Sequence, residues 1–525
     1  MKKLLLASAI IAGIFAGQAT AAVIPLKIVG GKVDFADLAL AGRVVKEIFI
    51  AGSSAATPMI EKSIIAISTG TVFKYSESSI VAITYIFTAK AGVTGLTSGG
   101  TYIVNKRDKD GSINAILAAT GTPAQFNNRT AVVGALGAQT PTCTVDGSLT
   151  KCIEPAAIAL VAHASDVNLS DVDAQQFASV LNGATTANAL ASKALTVAST
   201  PIAGQTFGIV VNSKLRDAMQ VAMKVAGILP ATCLTTGKET EACMPSLTSE
   251  QISTIFAKER FTDWGNLKFG GTTGKDLFTI QSTANRPANR DVHICSRTAG
   301  SGTLATLNVK FENAPCFSGN EAIQSPTSAT TVAETGASGS MKPYHATTSS
   351  GNLENCLTAL DSGTANSTFT PPTSFRWAIG IMGTERNATN GKAYRFIKID
   401  GVSPSVENVV KGKYKFWGEL AAVGPQSTDA LTTAIMNNVK NPALIKLINV
   451  TSTNFGVTGY LGVANNALGL PTYGTAISPG TKINGAFDVE RPVSLYTHAG
   501  LTAGSLNHCR VPTLVTGAKA MQGLN

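Results

Sequence analysis

An α/β architecture with a mainly parallel sheet is predicted, built as two domains with loop-rich decorations. Three observations predict it. Strand-like apolar runs alternate with helix-like runs, four strand ends open into turns of small residues, and 525 residues exceed what one ordinary core organises. Turns at strand C-terminal ends are where such sheets hold ligands, so these junctions are the candidate site.

Met1 to Ala21 carries two lysines, an apolar run from Leu4 to Phe15 and the small-residue end Ala19-Thr20-Ala21, which is the order of a secretory signal peptide. The mature chain is expected to begin near Ala22, with no cysteine there for a bacterial lipid anchor. No later apolar run reaches the roughly 18 residues that span a bilayer, so a periplasmic or secreted product with no transmembrane segment is expected.

Val44 to Ile50 reads as a strand; Ala51 to Met59 is a small-residue turn, and Ile60, Ile64 and Ile65 follow at helical spacing. Ser53 and Ser54 offer hydroxyls there. Tyr102 to Val104 is strand-like, and the charged run from Lys106 reads as a solvated turn, although Gly111 and Ser112 again open a helix, Ile113 to Leu117. Thr120 to Pro155, rich in Gly, Thr, Asn and Pro, reads as a surface insertion. Ala157 to Ala164 reads as a strand with Asp166 at its C-terminal end, where an aspartate is either a helix cap or an acceptor for a ligand proton. His163 beside it reads as a packed residue rather than a catalyst.

Gln205 to Asn212 is a β-branched strand, and Leu247 to Phe256 is an amphipathic helix with Ser249 as its cap. Asp291 to Cys295 alternates as a strand, then Ser296 to Thr303 turns into the helix Leu304 to Phe311. Ser318 to Ser350 reads as loops, Arg376 to Met382 and Tyr394 to Asp400 as strands, and Thr428 to Ile448 as helical; beyond Val450 no period emerges.

The turn from Arg297 to Thr303 has the chemistry of an anion cradle. Gly300 and Gly302 admit backbone conformations closed to larger residues, and the helix that follows points its unpaired first N–H groups into the turn. Ser301 and Thr303 add hydroxyls, and the Arg297 guanidinium matches two oxygens of a tetrahedral anion. The spacing G-x-x-x-x-G-K-[ST] is absent, so triphosphate chemistry has no support.

Charged residues make up 14% of the chain and the formal net charge is +10, with the lysines and arginines scattered. That balance favours anionic ligands weakly and excludes a nucleic-acid stripe. No C-x-x-C occurs and the five histidines do not cluster, so neither a metal nor a cofactor is expected. Ser301 has no identifiable histidine partner, so no catalytic residue is assigned. Eight cysteines in an exported chain point to disulfides. Cys143 with Cys152 and Cys233 with Cys243 are the expected pairs; among Cys295, Cys316, Cys356 and Cys509 the pairing stays open, with Cys295–Cys316 the nearer option.

Together these segments resemble the phosphate-binding proteins that deliver to ABC importers, a branch of the type 2 periplasmic binding proteins. Arg297 to Thr303 is similar to that family's R-x-D-G-S-G-T loop, Ala51 to Ser54 to its A-G-[AS]-[ST] turn, and Ala164 to Asp166 to its A-S-D strand end. Supporting similarities are Ile255 to Trp264, Ala378 to Gly380, and Ile399 to Asn408 through Tyr414. The resemblance implies two lobes and a hinge. Lobe I would hold residues 22–204, with an insertion near 120–155, and 386–450; lobe II would hold 205–385, and 451–525 would be a C-terminal extension.

By the same resemblance Arg297, Ser301, Gly302 and Thr303 would hold oxyanion oxygens from one lobe, and Ser54, Ala55, Ser112 and Asp166 from the other. Ala299 stands where the family has an acidic residue, removing one acceptor for a ligand proton; Asp166 would then discriminate phosphate from sulfate. The implied function is a binding protein for phosphate or a related oxyanion, with the membrane subunits of an importer as partners. The alternative is a secreted surface or matrix protein that reuses the fold, in keeping with the low charge and the Ser/Thr/Gly/Ala-rich segments.

Overall fold

The computed structural model describes residues 23–463, apart from 78–81, 108–110, 128–140, 156–159, 178–181, 258–260, 271–275, 313–335, 387–390 and a few further positions, together with two short strands near the C terminus. The signal-peptide reading, Cys316, Cys509 and nearly all of the C-terminal extension lie outside the described residues.

The first lobe begins with β1 (Val44–Gly52), in which Ile48, Phe49, Ile50 and Ala51 are all buried, as a strand covered on both faces requires. Helix α1 (Thr57–Ile67) has a proline in its first turn and buries Met59, Ile60, Ser63, Ile64 and Ile67, a stripe of helical period. Then come β2 (Ser68–Glu77), β3 (Ala82–Ala89), β4 (Thr101–Arg107), α2 (Ile113–Ala119), β5 (Thr142–Asp146), β6 (Leu149–Glu154) and β7 (Val167–Ser170). Strands β7, β1 and β4 are parallel neighbours, so the turns after them open on one edge of the sheet.

Strand β8 (Ser199–Asn212) leads into the second lobe, which contains α3 (Ser213–Val225), α4 (Ser249–Phe256), β9 (His293–Arg297), α5 (Gly302–Phe311), β10 (Tyr344–Thr347), α6 (Ser350–Ser362), β11 (Ala378–Gly383) and β12 (Tyr394–Phe396). Here β10, β9 and β11 form a second parallel set. The chain returns through β13 (Trp417–Val423) to α7 (Ala430–Val439) and α8 (Pro442–Thr451), which pack with α1. Elsewhere the strand pairs are mixed, with antiparallel ladders at β2 and β3, β3 and β4, and β8 and β13.

The two lobes share β8. Its residues Ser199 to Thr206 pair with β13, while Phe207 to Val211 pair with β11. Two separate cores flank the change of partner. One gathers Phe207, Leu215, Trp264, Trp377 and Phe416; the other gathers Ile48, Met59, Tyr85, Val104 and Ile435. Tyr394 to Phe396, expected in the returning segment, pairs instead with β8 in lobe II, and the chain crosses back at β13 rather than at 386. The aromatic side chains of Tyr394, Phe396, Tyr414 and Phe416 hold it there by joining the lobe II core.

Several local expectations change. The segment Thr120 to Pro155 is not all insertion, because β5 and β6 extend the lobe I sheet to its outer edge. Thr248, not Ser249, caps α4, with its hydroxyl accepting from Gln251 N–H and the Gln251 side chain accepting from Thr248 N–H. Part of the Ser318 to Ser350 stretch is the strand β10. Cys143–Cys152 and Cys233–Cys243 are bonded, but Cys295 joins Cys356 rather than Cys316, since β9 and α6 pack side by side in the lobe II core. No helix among the described residues is long and apolar enough to cross a membrane.

Candidate functional site

The turn between β9 and α5 is built from the sequence as a strand that must stop and a helix that starts without a side-chain cap. Ser301 is the N-cap residue, and Ala305 is the first to donate back along the helix, to Ser301 O at 3.0 Å. The N–H groups of Gly302, Thr303 and Leu304 therefore precede the helical ladder and face the turn. Ser301 Oγ is buried and has no hydrogen-bond partner among the described residues. Thr303 is also buried.

Arg297, at the end of β9, is 1% exposed, so it is not the solvent-facing side chain that a cleft arginine would be expected to be. Its fork is braced by Thr347 O at 3.3 Å from Nε, Ser350 Oγ at 3.2 Å from Nη1 and Thr348 O at 3.3 Å from Nη2. These acceptors lie at the end of β10 and the start of α6, and the Cys295–Cys356 disulfide ties α6 to β9 two residues before the arginine. The guanidinium is thus fixed before any ligand arrives.

The opposite wall comes from lobe I. Ile113 N–H donates to Gly300 O at 2.9 Å, a backbone bond that joins the lobes. Gly111 has φ +69°, and a methyl there would sit 3.2 Å from Ser301 Cα. At Gly302 a methyl would lie 2.7 Å from both Asp171 Cβ and Ser112 Oγ, so the close approach of these turns requires glycine. Arg297, Ser301, Gly302, Ser112 and Asp171 are brought together.

Asp171 follows β7 and is the residue that sequence reasoning missed. Its N–H donates to Ser112 Oγ at 2.9 Å, it is 2% exposed, and its Oδ1 is buried with no hydrogen-bond partner among the described residues. Burial pushes its carboxyl up to about 7; Arg297 and Lys106 pull against this, while Glu385 adds to it. Lys106 was expected in a solvated turn, yet it is 1% exposed and Nζ donates to Ser53 O at 2.7 Å. It is the penultimate residue of β4, whose parallel alignment with β1 carries it inward beside the turn that follows β1. Ser53 takes the Ala56 N–H on its hydroxyl at 3.1 Å and donates its own N–H to Leu169 O at 2.7 Å. Ser54 and the buried Ala55 complete the turn ahead of α1 at this same edge.

Asp166 is elsewhere. It precedes β7, accepts Phe49 N–H at 2.8 Å and sits near Lys46, His163 and Asp429. Five residues of strand put it about 16 Å from Asp171, at the opposite edge of the sheet. The strand expected before it is Leu160 to His163, which pairs only with Ala124 to Asn127 in a separate ribbon; β7 begins after Asp166, not before it. His163 stacks on Phe49.

The arrangement offers a fixed guanidinium, the N-terminus of a 10-residue helix, two orphaned buried oxygens and a carboxyl poised near neutral pH. Among the described residues, no group of three or more His, Cys, Asp or Glu is placed to hold a metal ion.

No family model matches the chain, and no curated protein does. Solved structures do. A Clostridium perfringens protein, described as a phosphate ABC transporter substrate-binding protein and solved with bound phosphate, matches at 13% identity and a TM-score of 0.38, over 79% of this chain and 99% of that one. An ABC-type phosphate transport receptor from Vibrio cholerae matches at 12% identity and a TM-score of 0.33, over 76% and 97%, and PstS from Borrelia burgdorferi at 10% and 0.31, over 77% and 97%. The chain is similar to these phosphate-transport binding proteins, and at this identity it is a distant likeness.

Proposed function

We propose that the protein is an exported solute-binding protein whose lobes close around one tetrahedral oxyanion, phosphate or a close relative, for delivery to an ABC importer. The observation that carries this reading is the pair Ser301 Oγ and Asp171 Oδ1, buried beside Arg297 without hydrogen-bond partners among the described residues. A buried polar atom left without a hydrogen bond costs about 1–3 kcal/mol. A protonated oxyanion relieves both atoms, because its bare oxygens accept from Ser301 and the helix N–H groups while its O–H donates to Asp171. Arg297 and Lys106 balance its charge, and the glycines at the seam let the two lobes approach closely around it.

The lobe I ligands of this reading are Ser54, Ala55, Ser112 and Asp171; those of lobe II are Arg297, Ser301, Gly302 and Thr303. Equilibrium dialysis of ligand-stripped protein against labelled phosphate, with arsenate and sulfate as competitors, tests it. Saturable phosphate binding displaced by arsenate is expected, and a folded sample that binds no oxyanion rejects it. Delivery to an importer further requires that cell fractionation find the protein in the periplasm.

A second reading, surface assembly, has one observation in its favour. The outer sheet edge around β5 and β6 exposes Val145 and Ile153 beside a groove of about 660 Å³ lined by Val23, Leu26, Ile28 and Phe73. Recovery of the protein in extracellular assemblies would favour that reading over delivery.

A further inference from the structure

Asp171 is not the one carboxyl near Arg297. Glu385 leaves the end of β11, which runs parallel beside β9 with His293 opposite Ala378 and Cys295 opposite Gly380. Parallel neighbours end on the same edge, so Glu385 emerges where Arg297 does. The hinge region then fixes it. Thr384 N–H donates to Thr206 O at 3.0 Å, and Gln205 Nε2 donates to Glu385 Oε2 at 3.4 Å. Gln205 in turn pairs with Gly418 across β8 and β13. A methyl on Gly418 would lie 3.1 Å from Asp171 O and 3.4 Å from Thr306 Oγ1, one turn into α5. Glu385 is thus tied to Gln205 on the strand the lobes share, and the strand partner of Gln205, Gly418, packs against the Asp171 backbone.

The charges around it are consistent with this position. Arg297 and its neighbour Arg386 act on Glu385 favourably, Asp171 and Glu385 act on each other unfavourably, and Tyr394 faces it from β12. Burial of the carboxyl raises its pKa above the ordinary value. The β9 turn itself, Thr298-Ala299-Gly300, offers no carboxylate.

We propose that Glu385 is a second proton-accepting carboxylate of the anion site, so that the site selects tetrahedral oxyanions carrying protons over those without. The inference rests on the oxyanion reading above. The dihydrogen form of phosphate or arsenate carries two O–H groups, one donated to Asp171 and the other to the ionised Glu385 carboxylate, and no covalent bond changes. Sulfate has no proton to give near neutral pH and meets negative charge instead.

Glu385→Gln tests it in ligand-stripped protein at pH 6.5, where dihydrogen phosphate and arsenate are abundant and sulfate still carries no proton, titrated calorimetrically with phosphate, arsenate and sulfate. The phosphate-to-sulfate affinity ratio should fall about tenfold, the scale of one charge-assisted hydrogen bond, through weaker phosphate and arsenate binding. Glu385→Asp, which keeps the charge and withdraws it by one methylene, should give an intermediate ratio and carries the test alone if the glutamine variant does not fold. An unchanged ratio in a natively folded variant overturns the inference while Arg297→Ala still weakens phosphate binding. If Arg297→Ala binds phosphate as tightly as the native protein, or the native protein binds no oxyanion, the reading of the site falls and the inference falls with it.

Discussion

The two ends of β7 carry the same dipeptide, Ser165-Asp166 and Ser170-Asp171, in two different environments. At the first end the aspartate is half-buried and accepts a backbone N–H from Phe49, which ties the start of one parallel strand to the next. At the second end the aspartate is buried against the other lobe, with one carboxyl oxygen that has no hydrogen-bond partner among the described residues. Identical side chains become a fastener and a buried carboxyl at the seam between the lobes according to which end of a parallel strand they occupy. Strand direction, not residue type, decides the role.

The comparison breaks most severely at Arg297, which faces the second end alone. Arg297→Ala should weaken phosphate binding by about 10-fold to 100-fold, the loss of a charge-assisted fork, as measured by equilibrium dialysis. Because the side chain is buried and braces Thr347, Thr348 and Ser350, thermal melting must accompany it; Arg297→Lys keeps the charge, loses the fork and should still bind weakly. Next in size, Asp171→Asn should lower the phosphate-to-sulfate ratio by about tenfold, since an amide no longer repels an unprotonated anion. Loss of preference in Asp166→Asn instead would show the ends assigned the wrong way round.

The unliganded protein should reveal the same contrast in its pH dependence. The Asp171 carboxyl rises from 3.8 to about 7 on folding, so between those values the folded state holds a proton that the unfolded state has released. Its contribution to stability is therefore greatest at low pH and declines until about pH 7. Asp171→Asn removes that decline, so relative to the native protein the variant should gain stability at pH 8 compared with pH 5 in urea unfolding. The smallest effect belongs to Asp166→Ala, which should cost about 1 kcal/mol for one backbone hydrogen bond and leave anion affinity unchanged.

Much of this site could be read along the chain, because a strand, a glycine turn and a helix start are local events. Arg297 to Thr303 and Ala51 to Ala55 each fall on one junction, and their residue types announce a cradle. What could not be read depends on pairing between distant strands. Lys106 looks solvated in a charged run until β4 lies beside β1; Ser170-Asp171 looks like any turn until β7 is known to begin after Asp166. Cys356 becomes the partner of Cys295 through the packing of α6 on β9, which no spacing rule encodes.

That last bond has a bearing on where the protein works. The sulfur bridge holds the helix that steadies the arginine, so a chain still in a reducing compartment lacks the brace, and its hold on an anion should firm up once oxidation is complete. Dithiothreitol should accordingly loosen phosphate in the purified protein, and an affinity indifferent to reduction of Cys295–Cys356 would show that packing alone keeps the arginine in place.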